Sequence, residues 1–312
     1  MDGPLVSIGV PTYNRVAGMR RAVESVLAQT YTNWELLISD NASTDDTAEE
    51  VARLAASDER ISVVTQPRNL GPTGNFNQVL TGRRGDYVLI VADDDWIAPN
   101  YLEECVGLLE RDPSVAVAGG ADVYFRDGEE YVRGPAVDVL HGSPGRRLND
   151  YYAQVYFNAT FYGVMRRSAV EPALPMRNAL GNDWLLVASV IAAGKARTMP
   201  ATTINRSLGG SSVDWKRLAE ITGLPPERVR HPHLEILKLN VREIARDGDA
   251  FAVLGRRRAT VALAVAVQIV RHRPMEFLWD ALGPLFDRPA LRPLREAGAR
   301  LYWRLRPPGN RA

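Results

Sequence analysis

The sequence predicts an α/β fold, a mostly parallel central sheet flanked by helices, followed by a C-terminal helical extension. Three observations predict it. Short apolar runs alternate with segments of helical apolar spacing through the first 125 residues, and that alternation implies βαβ units with helices on both faces of a sheet. Polar clusters stand directly behind three of the apolar runs. Strand signals fade from about residue 211 onward. The expected division is therefore a ligand-binding unit over 1–210 and a helical region over 211–312.

The elements follow in order. Residues 5–10 form an apolar run ending at Pro11, a buried-strand pattern, and 18–28 carry apolar residues at helical spacing. Residues 34–39, 61–65 and 87–92 read as further strands, and 44–56, 74–81 and 99–111 as helices. Residues 115–118 are strand-like again, while 123–125 and 131–139 suit antiparallel strands near the sheet edge. Residues 156–165 read as a strand, 183–193 as a helix and 197–204 as a strand. The remainder is helical at 215–222, 229–246, 250–271 and 289–305. Within it, 261–270 is apolar all round, the pattern of a buried helix.

Composition narrows the function. The chain has 312 residues with 46% hydrophobic and 24% charged, an ordinary globular balance. Its net charge of +1 argues against a general nucleic-acid binder. The total conceals a split, with +8 over residues 251–312 and −7 over the rest. A single cysteine, Cys105, excludes a disulfide framework, and four histidines leave little for a histidine metal centre. No basic-then-apolar leader opens the chain and no apolar run is long enough to span a bilayer, so the expected location is the cytoplasm.

In an open α/β sheet, ligands bind at the carboxyl ends of the parallel strands. Three polar clusters sit there. Asp93-Asp94-Asp95 follows the fourth strand. Three adjacent carboxylates repel, and a divalent cation such as Mn²⁺ or Mg²⁺ offsets that cost; the other reading is a solvated acidic turn capping the next helix. Asp40-Asn41 follows the second strand and offers acceptor oxygens to a base N–H, or simple turn and cap chemistry with Ser43 or Thr44. Pro11-Thr12-Tyr13-Asn14-Arg15 follows the first, with a ring for a base and a guanidinium for a phosphate, or a turn with Tyr13 as packing. The Asn69–Asn75 loop, with Gly71 and Gly74, opens a helix whose N-terminus favours phosphate.

Together the blocks at 6–15, 34–45, 69–71 and 87–95 closely resemble family 2 glycosyltransferases, in order and in spacing, over about the first 110 residues. The resemblance implies a GT-A fold and a nucleotide-diphosphate sugar donor, UDP- or dTDP-linked. It implies nucleotide-sugar contacts from Pro11, Thr12, Tyr13, Asn14, Arg15, Asp40, Asn41, Gly71 and Asp93. It makes the acidic cluster a DxD-type motif. Counting back from Pro99, Asp94 is the expected metal ligand, Asp95 a second candidate, and Asp93 lies near the ribose. Where the family more often has two acids, this chain has Asp40-Asn41, which leaves the identity of the base open.

The acceptor side is sparser. Asn182-Asp183-Trp184 resembles the family's catalytic-base region. A sugar hydroxyl needs a carboxylate to take its proton as it attacks, and Asp183 is the expected base; the alternative is a helix-terminal carboxylate favoured by the dipole. Ser207–Ser212 suits a loop closing over the diphosphate with help from Arg206, or a plain connector. The Gln-x-x-Arg-Trp signature of processive synthases is absent, so a single sugar is expected to move, with inversion, in polysaccharide, glycolipid or natural-product glycosylation. The expected acceptor is a hydroxyl on a saccharide, a lipid-linked sugar or a small molecule. The basic, aromatic C-terminal residues suit peripheral contact with the inner membrane face or a solvated surface. Rival readings are a sugar nucleotidyltransferase, which expects a glycine-rich basic loop after the first strand, and a non-catalytic nucleotide-sugar-binding subunit.

Overall fold

The computed structural model describes residues 3–155, 158–208 and 215–286. Its first half runs β1 (Val6–Thr12), α1 (Val16–Leu27), β2 (Trp34–Asp40), α2 (Thr47–Ser57), β3 (Ile61–Thr65), α3 (Gly71–Leu80), β4 (Tyr87–Ile90), β5 (Asp95–Ile97), α4 (Tyr101–Arg111), β6 (Val115–Arg126) and β7 (Glu129–Arg133). It continues with α5 (Pro144–Gln154), β8 (Val164–Arg166), α6 (Arg167–Val170), α7 (Asn182–Ala193) and β9 (Lys195–Ser207). The described C-terminal region is helical: α8 (Trp215–Thr222), α9 (Pro226–Val229), α10 (Pro232–Ala245), α11 (Arg258–His272) and α12 (Pro274–Phe286).

The sheet order is β3-β2-β1-β4-β8-β6-β9-β5, with β7 on β6. The first four strands pair in parallel, and β6 pairs β9 in parallel. β8 lies antiparallel between β4 and β6, so the sheet is mixed beyond its parallel half. Within that half β1, β2 and β4 are buried on both faces almost throughout, as βαβ crossovers require. Along β4 the side chains alternate: Val88 and Ile90 join one apolar core, Tyr87 and Leu89 the other. Parallel register sets Thr12 beside Asp40, so the polar tails of β1 and β2 emerge together.

The first four predicted strands and the helices between them stand within a few residues of their expected positions. Later expectations need correction. Among the described residues, 158–165 are not one strand: Ala159–Tyr162 is a 3-10 turn, and the strand is Val164–Arg166. The segments 115–118 and 123–125 are one long strand, β6. Residues 131–139 give β7 and then an isolated bridge from Val139 to Ala196.

Helix α5 was unexpected because its buried face is partly polar. Leu148, Tyr151 and Tyr152 point inward, and so does Arg147. The Arg147 guanidinium donates to the carbonyls of Ile191 and Ala192 at 2.7 Å each, satisfying orphan carbonyls at the end of α7.

The segment 250–271 breaks into a 3-10 stretch, Asp249–Arg257, kinked at Phe251 and Gly255, and then α11. Helix α11 is not buried all round. Ala262, Val265 and Ile269 enter the core, while Leu263, Val267 and Val270 are exposed on the opposite side. It packs one face on α5 and α10, and no described element covers the other. Ile244, Phe251 and Val265 share a core with Tyr151 and Val187, so the described C-terminal helices seat on the sheet unit. The expected helix at 289–305 lies outside the described residues. Among those described, no helix is long and apolar enough to cross a membrane.

Candidate active site

The loops behind β1, β2 and β4 interlock. The Tyr13 N–H donates to Asp93 Oδ2 at 3.3 Å, and the Asn14 N–H donates to Ser43 Oγ at 2.9 Å. In return the Thr44 N–H donates to Asn14 Oδ1 at 2.7 Å. Asn14 and Ala42 both sit in the left-handed region, at φ 51° and 62°. Non-glycine residues there cost free energy and persist where surroundings over-determine them, typically at ligand sites. Ser43 and Thr44 therefore do not cap α2, which has no side-chain cap bond; they tie the first two strand ends together.

Arg15 is the centre of charge. Its Nη1 lies 2.5 Å from Asp94 Oδ2 and 3.4 Å from Asp93 Oδ1. Burial pushes the Asp93 carboxyl up to about 6, against the pull of Arg15. The Asp94 side chain is more open than that of Asp93, 27% exposed against 15%. The Asp94 backbone is pinned instead, its carbonyl accepting from Arg21 at 2.8 Å and Ser207 Oγ at 2.7 Å. Gly18 lets α1 approach this turn. A Cβ there would stand 2.2 Å from the Asp93 carbonyl oxygen.

Asp95 has a different environment. It is 3% exposed and accepts from Arg206 Nε and the Ser207 N–H, both at 3.3 Å. Burial raises its pKa, and Arg206 draws it back. Arg206 also donates to Tyr124 Oη at 3.0 Å and stacks on the Tyr162 ring at 4.8 Å. Arg206, offered by the sequence as help for a loop over the diphosphate, is thus a buried partner of Asp95. Residues 209–214 of that loop lie outside the described residues.

Asp40 and Asn41 divide their work. Asn41 is buried, accepts from the Leu70 N–H at 2.8 Å and donates to Asn69 Oδ1 at 3.0 Å. It thereby holds the loop ahead of α3, where Gly71 adopts φ 72°. Asp40 Oδ1 accepts from the Ser43 N–H at 3.1 Å. Its other oxygen, Oδ2, is buried without a hydrogen-bond partner. Buried acceptors are nearly always satisfied, and the neighbouring Thr12 Oγ1 is likewise buried without a partner.

Across the sheet, Asp183 opens α7 as expected. Burial raises its pKa, and hydrogen bonds from Asn158 and the backbone oppose the shift. Asn158 Nδ2 donates to Asp183 Oδ2 at 2.9 Å, and Tyr151 Oη donates to Asn158 Oδ1 at 2.8 Å. Asn182 anchors the same helix end to α3 through Thr73 Oγ1 at 3.0 Å. Sequence reading missed Asn158, Tyr151 and Arg147, which carry no linear signal. Arg21, on helix α1 six residues after Arg15, was missed too.

The glycosyl transferase family 2 model matches residues 7–173. Among curated proteins, the chain is 33% identical over 161 residues to a putative colanic acid biosynthesis glycosyl transferase of Escherichia coli, covering 51% of this chain and 57% of that one. It is 40% identical over 110 residues to an Escherichia coli UDP-Glc:α-D-GlcNAc-diphosphoundecaprenol β-1,3-glucosyltransferase, covering 35% and 42%. The chain thus spans about half the length of the curated relatives it matches. Among solved structures, a Pyrobaculum calidifontis mannosyltransferase in complex with GDP-Man and Mn²⁺ superposes with a TM-score of 0.58 at 18% identity, over 96% of this chain and 80% of that one. At that identity the likeness speaks to the fold, which is of the GT-A type.

Proposed function

Since the chain belongs to glycosyl transferase family 2, we propose that it moves a single sugar from a UDP- or dTDP-sugar to an acceptor hydroxyl, with inversion and with a divalent ion. The observation that carries the reading is the convergence of Arg15, Asp93 and Asp94 at one sheet edge, beside the strand whose Asp40 oxygen is buried and unpartnered. Asp40 accepts the base N–H, Tyr13 and Asn14 border the nucleoside, and Arg15 faces the diphosphate.

The donor set suits a hard cation. Among the described residues no three His, Cys, Asp or Glu side chains form a complete cage. Mg²⁺ and Mn²⁺ characteristically bind through one or two carboxylates plus substrate phosphates. Asp94 is the assigned ligand. Asp95 is spoken for by Arg206, so its role as a second ligand recedes. When bound, Mn²⁺ or Mg²⁺ neutralises charge on the leaving diphosphate.

Asp183 takes the proton of the acceptor hydroxyl as its oxygen attacks the anomeric carbon. Burial favours that proton transfer by raising the carboxyl's proton affinity. One displacement from the opposite face inverts the configuration. The acceptor is a saccharide, lipid-linked or small-molecule hydroxyl. The basic C-terminal region, with Leu263, Val267 and Val270 exposed on α11, suits peripheral membrane contact at the inner face.

Thermal shift and calorimetry with UDP-, dTDP- and GDP-sugars test the donor reading. Binding that requires Mn²⁺ and favours a pyrimidine base is expected; binding indifferent to metal and base removes it. The anomeric configuration of the product, read by NMR, tests the mechanism, and retention excludes a single displacement.

A further inference from the structure

Asp183 is held by a residue that lies outside every recognised motif. Asn158 is 4% exposed and sits at φ 53°, ψ 41°, a left-handed conformation unusual for a residue other than glycine. An ionised carboxylate can only accept, so the Asn158 amide nitrogen must face Asp183 and its oxygen must face a donor. Tyr151 supplies that donor from α5. Tyr151 is itself fully buried and meets the Tyr152 ring edge-on at 5.0 Å. Tyr152 in turn donates to Asn240 Oδ1 of α10 at 2.5 Å. The amide has one orientation that satisfies both neighbours.

We propose that Asn158 is the positioning residue of the base, its amide clamped by Tyr151 so that the Asp183 carboxylate is held at one angle before an acceptor arrives. The inference rests on the reading of Asp183 as base. The other groups around Asp183 are accounted for. Arg206 of β9 attracts its charge. Tyr162 of the 3-10 turn and Tyr151 and Tyr152 of α5 stay neutral because burial raises their pKa values, and Arg273 stacks on neighbouring Trp184 at 4.4 Å. The backbone N–H groups of Asp183 and Trp184 also favour the anion, and Asn158 adds the side-chain donor at Oδ2, so its loss leaves the carboxylate both less fixed and less stable as an anion.

The test is the titration of Asp183, followed by ¹³C NMR of the full chain labelled at aspartate carboxyls, with Asp183→Asn assigning its signal. Asn158→Ala is expected to make Asp183 bind its proton about tenfold more tightly, one unit toward higher pH. Tyr151→Phe keeps the ring and the fold, frees the Asn158 oxygen, and is expected to shift the titration the same way by less. It also serves if Asn158→Ala fails to fold. A titration unmoved by Tyr151→Phe, and by Asn158→Ala where that variant folds, overturns the inference. If the titration moves but Asp183→Asn still transfers sugar at the wild-type rate, the positioning contact stands and the reading of Asp183 as base fails.

Discussion

The proposed donor side and the proposed acceptor side of the site are built by different means. On the donor side, β1, β2 and β4 run parallel and in register, so whatever follows each strand meets at one edge. Tyr13 and Asp93 are 80 residues apart, yet strand pairing alone brings them together. On the acceptor side, Asp183 depends on packing between α5 and α7 and on one left-handed residue between them. Topology therefore delivers donor groups collectively, whereas the acceptor carboxylate is set contact by contact.

That contrast is sharpest in Asp183→Asn. The amide keeps the size of the side chain but cannot take a proton, so kcat is expected to fall about 10²- to 10⁴-fold. Nucleotide binding, measured by calorimetry with Mn²⁺, should remain. A comparable loss of binding would mean that the two sides are not separable. Asp94→Ala is the complementary change. It removes the carboxylate beside Arg15, and Mn²⁺-dependent nucleotide affinity should drop by about a hundredfold, or about 2.8 kcal/mol. Affinity without metal should rise or hold, because Arg15 is released toward the diphosphate.

Asp40→Ala is expected to act more mildly. A hydrogen bond involving a charged group contributes about 1.5–3 kcal/mol, so nucleotide affinity should fall at least about tenfold. The loss should be equal with and without Mn²⁺, since Asp40 lies on the base side. A loss that appears only with metal would instead place Asp40 in the diphosphate network.

Legibility in the sequence follows the same division. The parallel half was readable because each buried strand is a continuous apolar run and each site cluster sits immediately behind one. Asp93 to Asp95 were found that way, but their separate environments were not. Only the fold places Arg206, more than a hundred residues later, against Asp95 and leaves Asp94 to Arg15. Asn41 shows the same limit. Its type fitted a nucleoside contact, and only the fold shows that its amide also holds Leu70 and Asn69. Helix α5 escaped because its inward face includes a buried arginine whose partners are carbonyls of another helix, and no periodicity records a partner.

Helix α11 carries the comparison into stability. Its sequence is apolar on every side, so the pattern could not say which face is buried. The structure assigns Ile269 to the core at 1% exposed and Leu263 to the surface at 67%. Ile269→Ala should cost about 2–5 kcal/mol by leaving a cavity. Leu263→Ala, the same kind of truncation six residues away, should stay within about 0.5 kcal/mol. Urea unfolding of the two variants, with unchanged m-values, separates them. Equal costs would mean that something buries Leu263 in solution. The exposed face would then be an interface, and vesicle binding by the Leu263→Ala chain would show whether an anionic membrane forms it.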